Sequence, residues 1–404
     1  MDRQRGKGRT LNEYLDPYPY FGRLRESGRV VQIRTAFAGD GWLITRYADA
    51  QRLAGDPRLS VDAKHAGPEL RKRLEQFKFR FVDSFPDHML IVDPPEHTRL
   101  RRLISKEFTP GRVAALKPYI RRTVDELLDV VPVDRPIDLV ATLAAPLPVM
   151  VIARLLGIRR EDADFLQPLV SALIELPTDS EVAARIDKAR AELWDYLSGV
   201  VADKRKSPDR ALLSALITAH DEGDLLSDTE LTAMAAVLFA GGAETTAHAI
   251  GSGVLLLQRH PEQWRRLIER PQLIPSAVEE LLRFESPVTL GLIRFAAEDI
   301  TIGEVTIPRG DLVFVGLATA NHDGQRFEQP EQFDITRQQN AHLAFGRGVH
   351  YCLGAGLARI ELTTVFSVLL SRFPRLRLAE KPTEVQWRSA ALRGPSALSV
   401  ILES

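Results

Sequence analysis

The sequence predicts a mainly α-helical fold with small β-sheet regions, folded as a single domain. Three observations carry that prediction. Helical apolar periodicity dominates from about Ala48 onward, strand-like alternation is confined to short stretches, and no linker, internal repeat or low-complexity segment divides the chain. At 404 residues the chain has room for one large domain or two to three ordinary ones, and the missing linker favours one. A hydrophobic content of 45% and a charged content of 26% are those of a soluble globular protein. The net charge of −1 sets up no field for nucleic acid or for a membrane surface. The basic, polar start, Met1-Asp2-Arg3-Gln4-Arg5, has no apolar stretch behind it and does not read as a signal peptide. Arg154 interrupts the longest apolar run, Leu147 to Gly157, which is too short to span a bilayer. A lone cysteine, Cys352, suits a reducing compartment. A cytoplasmic monomer is expected.

Taken in order, residues 1–10 read as a flexible tail and residues 11–404 as the domain. Val30–Arg34 and Gly41–Arg46 form an expected hairpin around Gly39-Asp40-Gly41. The interval from Asp62 to His88 is irregular, charged and aromatic; a loop of that length in a compact domain is more often functional than idle. Asp93-Pro94-Pro95-Glu96 opens a basic helix through His97 to Lys106, its prolines at the tolerated end. Helical patterns follow over Val113–Val131, Ala141–Leu156, Glu161–Leu176, Glu181–Lys206 and Ala211–His220. Ser227 and Glu230 make a capping box, and the pattern behind it runs to about His260, where Pro261 opens the next segment. At 1.5 Å per residue such a helix is roughly 48 Å long, enough to cross a large domain. A helix over Ile274–Phe284, a strand-like section over Leu290–Val315, a structureless stretch over Ala320–Gly348 and a helix over Leu353–Phe373 complete the chain.

Several constellations bear chemistry. Cys352 stands just before a helix, where unsatisfied N–H groups and the positive dipole end stabilise a thiolate. Gly346, Gly348 and Gly354 around it imply a sharp turn or the approach of something large. A buried structural cysteine among turn glycines is the alternative, and zinc is not suggested, since no second cysteine or histidine pair stands at ligand spacing. In the middle of the long helix, Gly241 and Gly242 cost about 1 kcal/mol each against alanine, and Glu244 and Thr245 set an acid beside an alcohol. The Thr245 hydroxyl has the Gly241 carbonyl four residues back as an acceptor. This segment reads either as a groove suited to proton delivery or as close helix packing through glycine. Glu280 and Arg283 share a helix face, with Arg337 a candidate third partner. His97 and Arg101 share another face, and with Arg294 and His350 they suit binding of carboxylates or phosphates; a solvated basic face is the other reading.

Together these motifs resemble the cytochrome P450 family, over nearly the whole chain and in the right order. Phe345-Gly-Arg-Gly-Val-His-Tyr-Cys352-Leu-Gly354 is similar to the family's haem-binding loop, Gly241-Gly-Ala-Glu244-Thr245-Thr246 to its oxygen-activation segment, and Glu280-Leu-Leu-Arg283 to its Glu-x-x-Arg motif. The resemblance implies the cytochrome P450 fold and haem b as cofactor, with Cys352 as the proximal iron ligand and the loop glycines, Gly354 among them, as clearance for it. It further implies Phe345 packed beside the sulfur, and His97, Arg101, Arg294 and His350 on the haem propionates. Thr245 and Glu244 are implied as the proton relay, and Glu280, Arg283 and Arg337 as a structural lock. Gln332 departs from the arginine many relatives carry in a Pro-Glu-Arg-Phe segment, which puts that third partner in question.

The implied activity is insertion of one oxygen atom from O2 into an apolar small molecule, by hydroxylation or epoxidation, as in tailoring of secondary metabolites such as polyketide macrolides. A haem protein that binds or senses a ligand without turnover and a peroxide-driven peroxygenase are rival readings, which the intact Glu244–Thr245 pair disfavours. The resemblance to soluble bacterial members implies a separate ferredoxin and its reductase, with NAD(P)H as electron source. Arg99, Arg102, Lys106, Arg347 and Arg359 are the expected docking face. Phe77, Phe79, Phe81, Phe85, Leu90, Leu290 and Leu292 point to an apolar pocket under a charged, mobile lid.

Overall fold

The Ser227–Glu230 capping box forms as the spacing implies. Ser227 Oγ accepts from the Glu230 N–H at 3.1 Å, and Glu230 Oε2 accepts from the Ser227 N–H at 2.7 Å. Behind it a single helix runs from Asp228 to Arg259, 32 residues through the middle of the molecule. The structure, a computed structural model, describes residues 17–35, 39–77, 85, 86, 88–175, 179–218, 226–388 and 392–403. The expected tail at residues 1–10, and Phe79 and Phe81, lie outside them.

Two apolar cores meet along this central helix. Its first half, Leu231 to Ala243, packs with the helices Pro146–Leu156, Ala163–Leu173 and Ser180–Lys206. Its second half, Ala249 to Leu257, packs with Lys117–Asp129, Ile274–Phe284 and Ala355–Arg372. From Leu231 to Leu257 only Gly241, Gly242 and Thr245 are not buried. Those three lie on one face at helical spacing, at the joint between the cores. Missing side chains let neighbours close in elsewhere on the helix: a Cβ on Gly253 would lie 2.7 Å from the Phe366 ring.

A five-stranded sheet lies to one side, in the order Val30–Thr35, Gly39–Ile44, Leu312–Val315, Leu292–Ala296, Leu59–Ser60. The Gly39–Ile44 and Leu312–Val315 strands pair in parallel and every other pair is antiparallel. The expected hairpin is present, but Gly39, Asp40 and Gly41 pair with Thr35, Arg34 and Ile33 and so belong to its second strand, not to its turn. The alternation around Gly303 is the two-stranded ribbon Ile300–Ile302 and Val305–Ile307, with Gly303 at φ +62°.

Several boundaries differ from expectation, mostly at prolines. The segment expected as one helix over Val113–Val131 is two, Pro110–Ala114 and Lys117–Asp129, the second with proline in its first turn, where no N–H is needed. The helix expected from Ala141 begins its α-helical part at Pro146, after a wider turn over Val140–Ala144. The interval from Asp62 to His88 is not wholly irregular: Pro68–Phe77 is a helix. Phe85 is core, 1% exposed and stacked on Trp194 with ring centroids 6.0 Å apart. The Tyr18–Ser27 helix, which opens behind Pro17, is not among the expected elements, and the three-stranded sheet of Pro136–Asp138, Ser399–Ile401 and Arg377–Leu378 has too few residues per strand for periodicity to reveal it. Among the described residues, no helix is long and apolar enough to cross a membrane.

Candidate active site

The loop before the Ala355–Arg372 helix places Cys352. Gly346 and Gly348 hold φ of +70° and +78°, which an L side chain rarely adopts. At Gly348 the space is taken by backbone: a Cβ there would lie 2.7 Å from Gly55 Cα, so this clearance serves the neighbouring turn and not a cofactor. Gly354 differs. It is in an ordinary conformation at φ −81°, and a Cβ on it would meet only the Cys352 sulfur, at 4.0 Å. The Cys352 N–H donates to Phe345 O at 2.9 Å and closes the loop. The side chain of Cys352 is exposed. Burial of its surroundings pushes the thiol pKa up, while the N–H groups of Gly354 and Ala355 and the charges of Arg101 and Arg359 pull it down. The helix start thus faces the sulfur with donors, as a thiolate requires. Phe345 supports the loop from behind, its ring 4.5 Å from the Arg359 guanidinium, which in turn grips Glu279 at 2.7 and 2.8 Å.

Three elements assemble a cationic cradle nearby. His97 and Arg101 come from the Glu96–Ser105 helix, Arg294 from the Leu292–Ala296 strand, and His350 from the turn ahead of Cys352. The His97 and His350 rings are 4.2 Å apart. Both ring nitrogens of His97 and Nε2 of His350 are buried without a hydrogen-bond partner. Burial, then Arg294, His97 and Arg101, pushes His350 down to about 3. Burial and Arg101 lower His97 as well, against the opposing pull of Asp93. Arg101 Nη2 donates to Tyr351 O at 2.8 Å and ties the cradle to the cysteine loop. Buried donors around an excess of positive charge call for anionic oxygen acceptors. These residues fit a cofactor that carries carboxylates and takes a sulfur ligand.

At the break in the central helix the two candidate relay residues part company. Thr245 Oγ1 donates to Gly241 O at 2.8 Å, the back-bond anticipated from spacing. Nothing lies within 4 Å of where a Gly241 side chain would start, whereas Gly242 packs tightly on Ile152. Gly241 thus leaves an opening and Gly242 makes a close contact, while the wet edge that the packing alternative needs for Glu244 is not found. Glu244 does not face that opening. It is 6% exposed, its Oε1 accepts from Ser171 Oγ at 2.6 Å, and its Oε2 lies 3.6 Å from both Arg388 Nη1 and His248 Nε2. Burial raises its pKa, opposed by Ser171 and then Arg388. Sequence reasoning missed these neighbours. His248 was within reach as the residue four on from Glu244, but Ser171 and Arg388 are distant in sequence and carry no local signal.

Glu280 and Arg283 are both wholly buried and joined by two bonds of 2.8 Å. Arg337 does join them, its Nε 3.1 Å from Glu280 Oε2. The departure at Gln332 is harmless because the contribution there is backbone: Gln332 O accepts from Arg283 at 3.3 Å and from Arg337 at 3.0 Å. The expected docking face is less uniform than its sequence. Arg99 is turned inward and paired with Glu96 and Glu230, and Arg359 is committed to Glu279. Arg102, Lys106 and Arg347 are exposed.

A helix-rich fold that sets one exposed sulfur near a cradle of histidine and arginine donors is the architecture of a haem-thiolate protein. Comparison with known proteins makes the class specific. Residues 60–399 match the family described as Cytochrome P450. The Vitamin D(3) 25-hydroxylase of Pseudonocardia autotrophica is 43% identical, with 96% of this chain and 94% of that protein covered. The Mycinamicin IV hydroxylase/epoxidase of Micromonospora griseorubida is 39% identical over 94% of each. Among solved structures, the Bacillus subtilis bacillaene polyketide synthase cytochrome P450 PksS superposes with a TM-score of 0.89 at 36% identity, covering 98% of this chain and 99% of that one. The chain belongs to the cytochrome P450 family. It is an oxidoreductase of the monooxygenase kind.

Proposed function

We propose that this protein holds haem b on Cys352 and inserts one oxygen atom from O2 into a large apolar molecule of secondary metabolism, of the polyketide macrolide kind, by hydroxylation or epoxidation. The bound haem-thiolate group supplies the activation of dioxygen. The chain's residues do the rest. Cys352 offers the only sulfur that can act as a thiolate ligand, and the N–H groups at the helix start support its charge. His97, Arg101, Arg294 and His350 would bind the propionates and so set the orientation of the ring. Thr245 stands at the one opening of the central helix and would hold and pass a proton at Oγ1, with Glu244 as the reservoir behind it.

The observation that carries this reading is the exposure pattern of that helix, where burial from Leu231 to Leu257 is relieved only at Gly241, Gly242 and Thr245. A protein that merely binds a ligand has no use for an alcohol at that spot. The relatives' named substrates, vitamin D(3) and mycinamicin IV, are the reason for favouring a large, mostly apolar substrate.

Electrons would come from a ferredoxin, through its reductase and NAD(P)H. Arg102, Lys106 and Arg347, all exposed, together with the exposed apolar residues Val349 (49% exposed) and Tyr351 (40%) near Cys352 in the chain, suit an acidic protein as docking partner. Two experiments test the proposal. A titration of the ferric enzyme with macrolides should give low-spin to high-spin conversion, and a panel without any responding macrolide or comparably large apolar compound would refute the substrate class. Thr245→Ala should divert reducing equivalents to peroxide; unchanged coupling to product would remove Thr245 from the relay.

A further inference from the structure

Glu244, His248 and Gly251 are spaced i, i+4 and i+7 and share one face of the central helix. The C-terminal segment that closes through the Trp387–Pro395 pairing lies on that face. Pro395 sits where a Gly251 side chain would be, 2.9 Å from the position of its Cβ, and a Cβ on Gly394 would collide with the His248 ring. Two glycines, one on each partner, thus permit the close approach. The Arg388 N–H donates to Gly394 O at 3.0 Å, which holds Arg388 opposite Gly394 and brings Nη1 to 3.6 Å from Glu244 Oε2.

We propose that Arg388 is a positioning residue for Glu244: its guanidinium fixes the lie of the carboxyl and sets the pH at which that carboxyl gives up its proton. The inference rests on the reading of Glu244 and Thr245 as a proton relay. Three groups face the Glu244 carboxyl from the elements packed around it. Ser171, from the Ala163–Leu173 helix, donates to Oε1. His248, on the same helix as Glu244, is pushed down to about 3 by burial and then by Arg388, so it stands neutral beside Oε2. Arg388 is therefore the one permanent cation within ion-pair distance among the described residues. A buried carboxyl with a hydroxyl and a neutral imidazole as its only partners would keep its proton. The Arg388 side chain is 30% exposed, so it connects that carboxyl to solvent and keeps it able to release and regain a proton.

The test is an infrared pH titration of the ferric holoenzyme, read at the carbonyl stretch of protonated carboxyls. The Glu244 signal is assigned by its loss in Glu244→Gln, which separates it from Glu361, a second buried carboxyl whose pKa burial raises well above normal. In Arg388→Gln the Glu244 midpoint should move to higher pH, and Arg388→Lys should return it toward the wild-type position. The pH profile of coupling to product should move in the same direction, with the thiolate-type spectrum of the reduced carbon monoxide complex retained in every variant. An unmoved midpoint in Arg388→Gln with that spectrum intact overturns the inference. If Glu244→Gln itself leaves coupling unchanged, the relay reading falls and this inference with it. If Glu244→Gln uncouples while Arg388→Gln moves neither midpoint nor profile, only the role of Arg388 falls.

Discussion

Replacing Glu280 with glutamine removes a negative charge from a site with no exposure at all. The carboxylate accepts from Arg283 Nε and Nη2 at 2.8 Å each, from the Asp334 N–H and Asn340 Nδ2 at 3.0 Å each, and from Arg337 Nε. Glutamine keeps one acceptor oxygen and turns an NH2 group toward donors that need acceptors. Arg283, itself fully buried, keeps its carbonyl partners Asn321 O and Pro330 O at 2.9 Å but loses the only counter-charge at ion-pair distance among the described residues. Breaking a buried pair from one side costs about 3–5 kcal/mol. At roughly 2.1 cal/mol/K per residue, a chain of 404 residues unfolds with about 0.85 kcal/mol/K. The expected fall in Tm is therefore roughly 4–6 °C. Scanning calorimetry of the haem-loaded protein measures it, with Arg337→Ala as the internal comparison. Arg337 is 10% exposed by side chain, and its loss leaves the Glu280–Arg283 pair in place, so its effect should be clearly smaller. A Glu280→Gln shift under about 1 °C, or one no larger than that of Arg337→Ala, would refute the assignment of this pair as the anchor of the network.

Other outcomes follow from the same geometry. Cys352→Ser should abolish the thiolate-type absorption of the reduced carbon monoxide complex, and a retained thiolate spectrum would sink the ligand assignment. Gly348→Ala sets a methyl group against Gly55 Cα at 2.7 Å and forces φ +78° on alanine; a cost of about 1–3 kcal/mol and weaker haem retention are expected, checked by denaturant melts and haem-transfer assays. Against the upward push of burial, hydrogen bonds from Arg359 and His342 bring Glu279 from 4.5 down to about 2. A lowered carboxylate pKa contributes stability that is fully present above the unfolded value and lost as pH falls through the folded one. Wild type should therefore lose stability between pH 4.5 and about 2 more steeply than Glu279→Gln, and parallel acid melts would refute the pairing.

Much was legible where the signal is local. A capping box, a cysteine ahead of a helix and a Thr245 back-bond to Gly241 each involve residues within a few positions of one another, so spacing alone carries their geometry. The Glu280–Arg283 pair is of the same kind. Arg337 was a candidate only, since closing that network depends on how the stretch after Asn321 folds back. Proline marks where the helical runs break, but around Lys117 and Ala141 apolar periodicity continues across it and masks the break. Elements of two or three residues, such as Leu59–Ser60 and Pro136–Asp138, have no period to read.

The sequence by itself determined the fold class and the single candidate sulfur, because helical periodicity and motif spacing are properties of neighbouring residues. Only the tertiary structure decided which way each side chain faces. Gly348 makes room for Gly55, Arg99 turns inward to Glu230, the Gln332 contribution is its carbonyl, and Glu244 is held away from the opening by Ser171 and Arg388. Each of these depends on a contact between residues far apart in the chain, where burial, charge and packing select one partner among many that the sequence would allow.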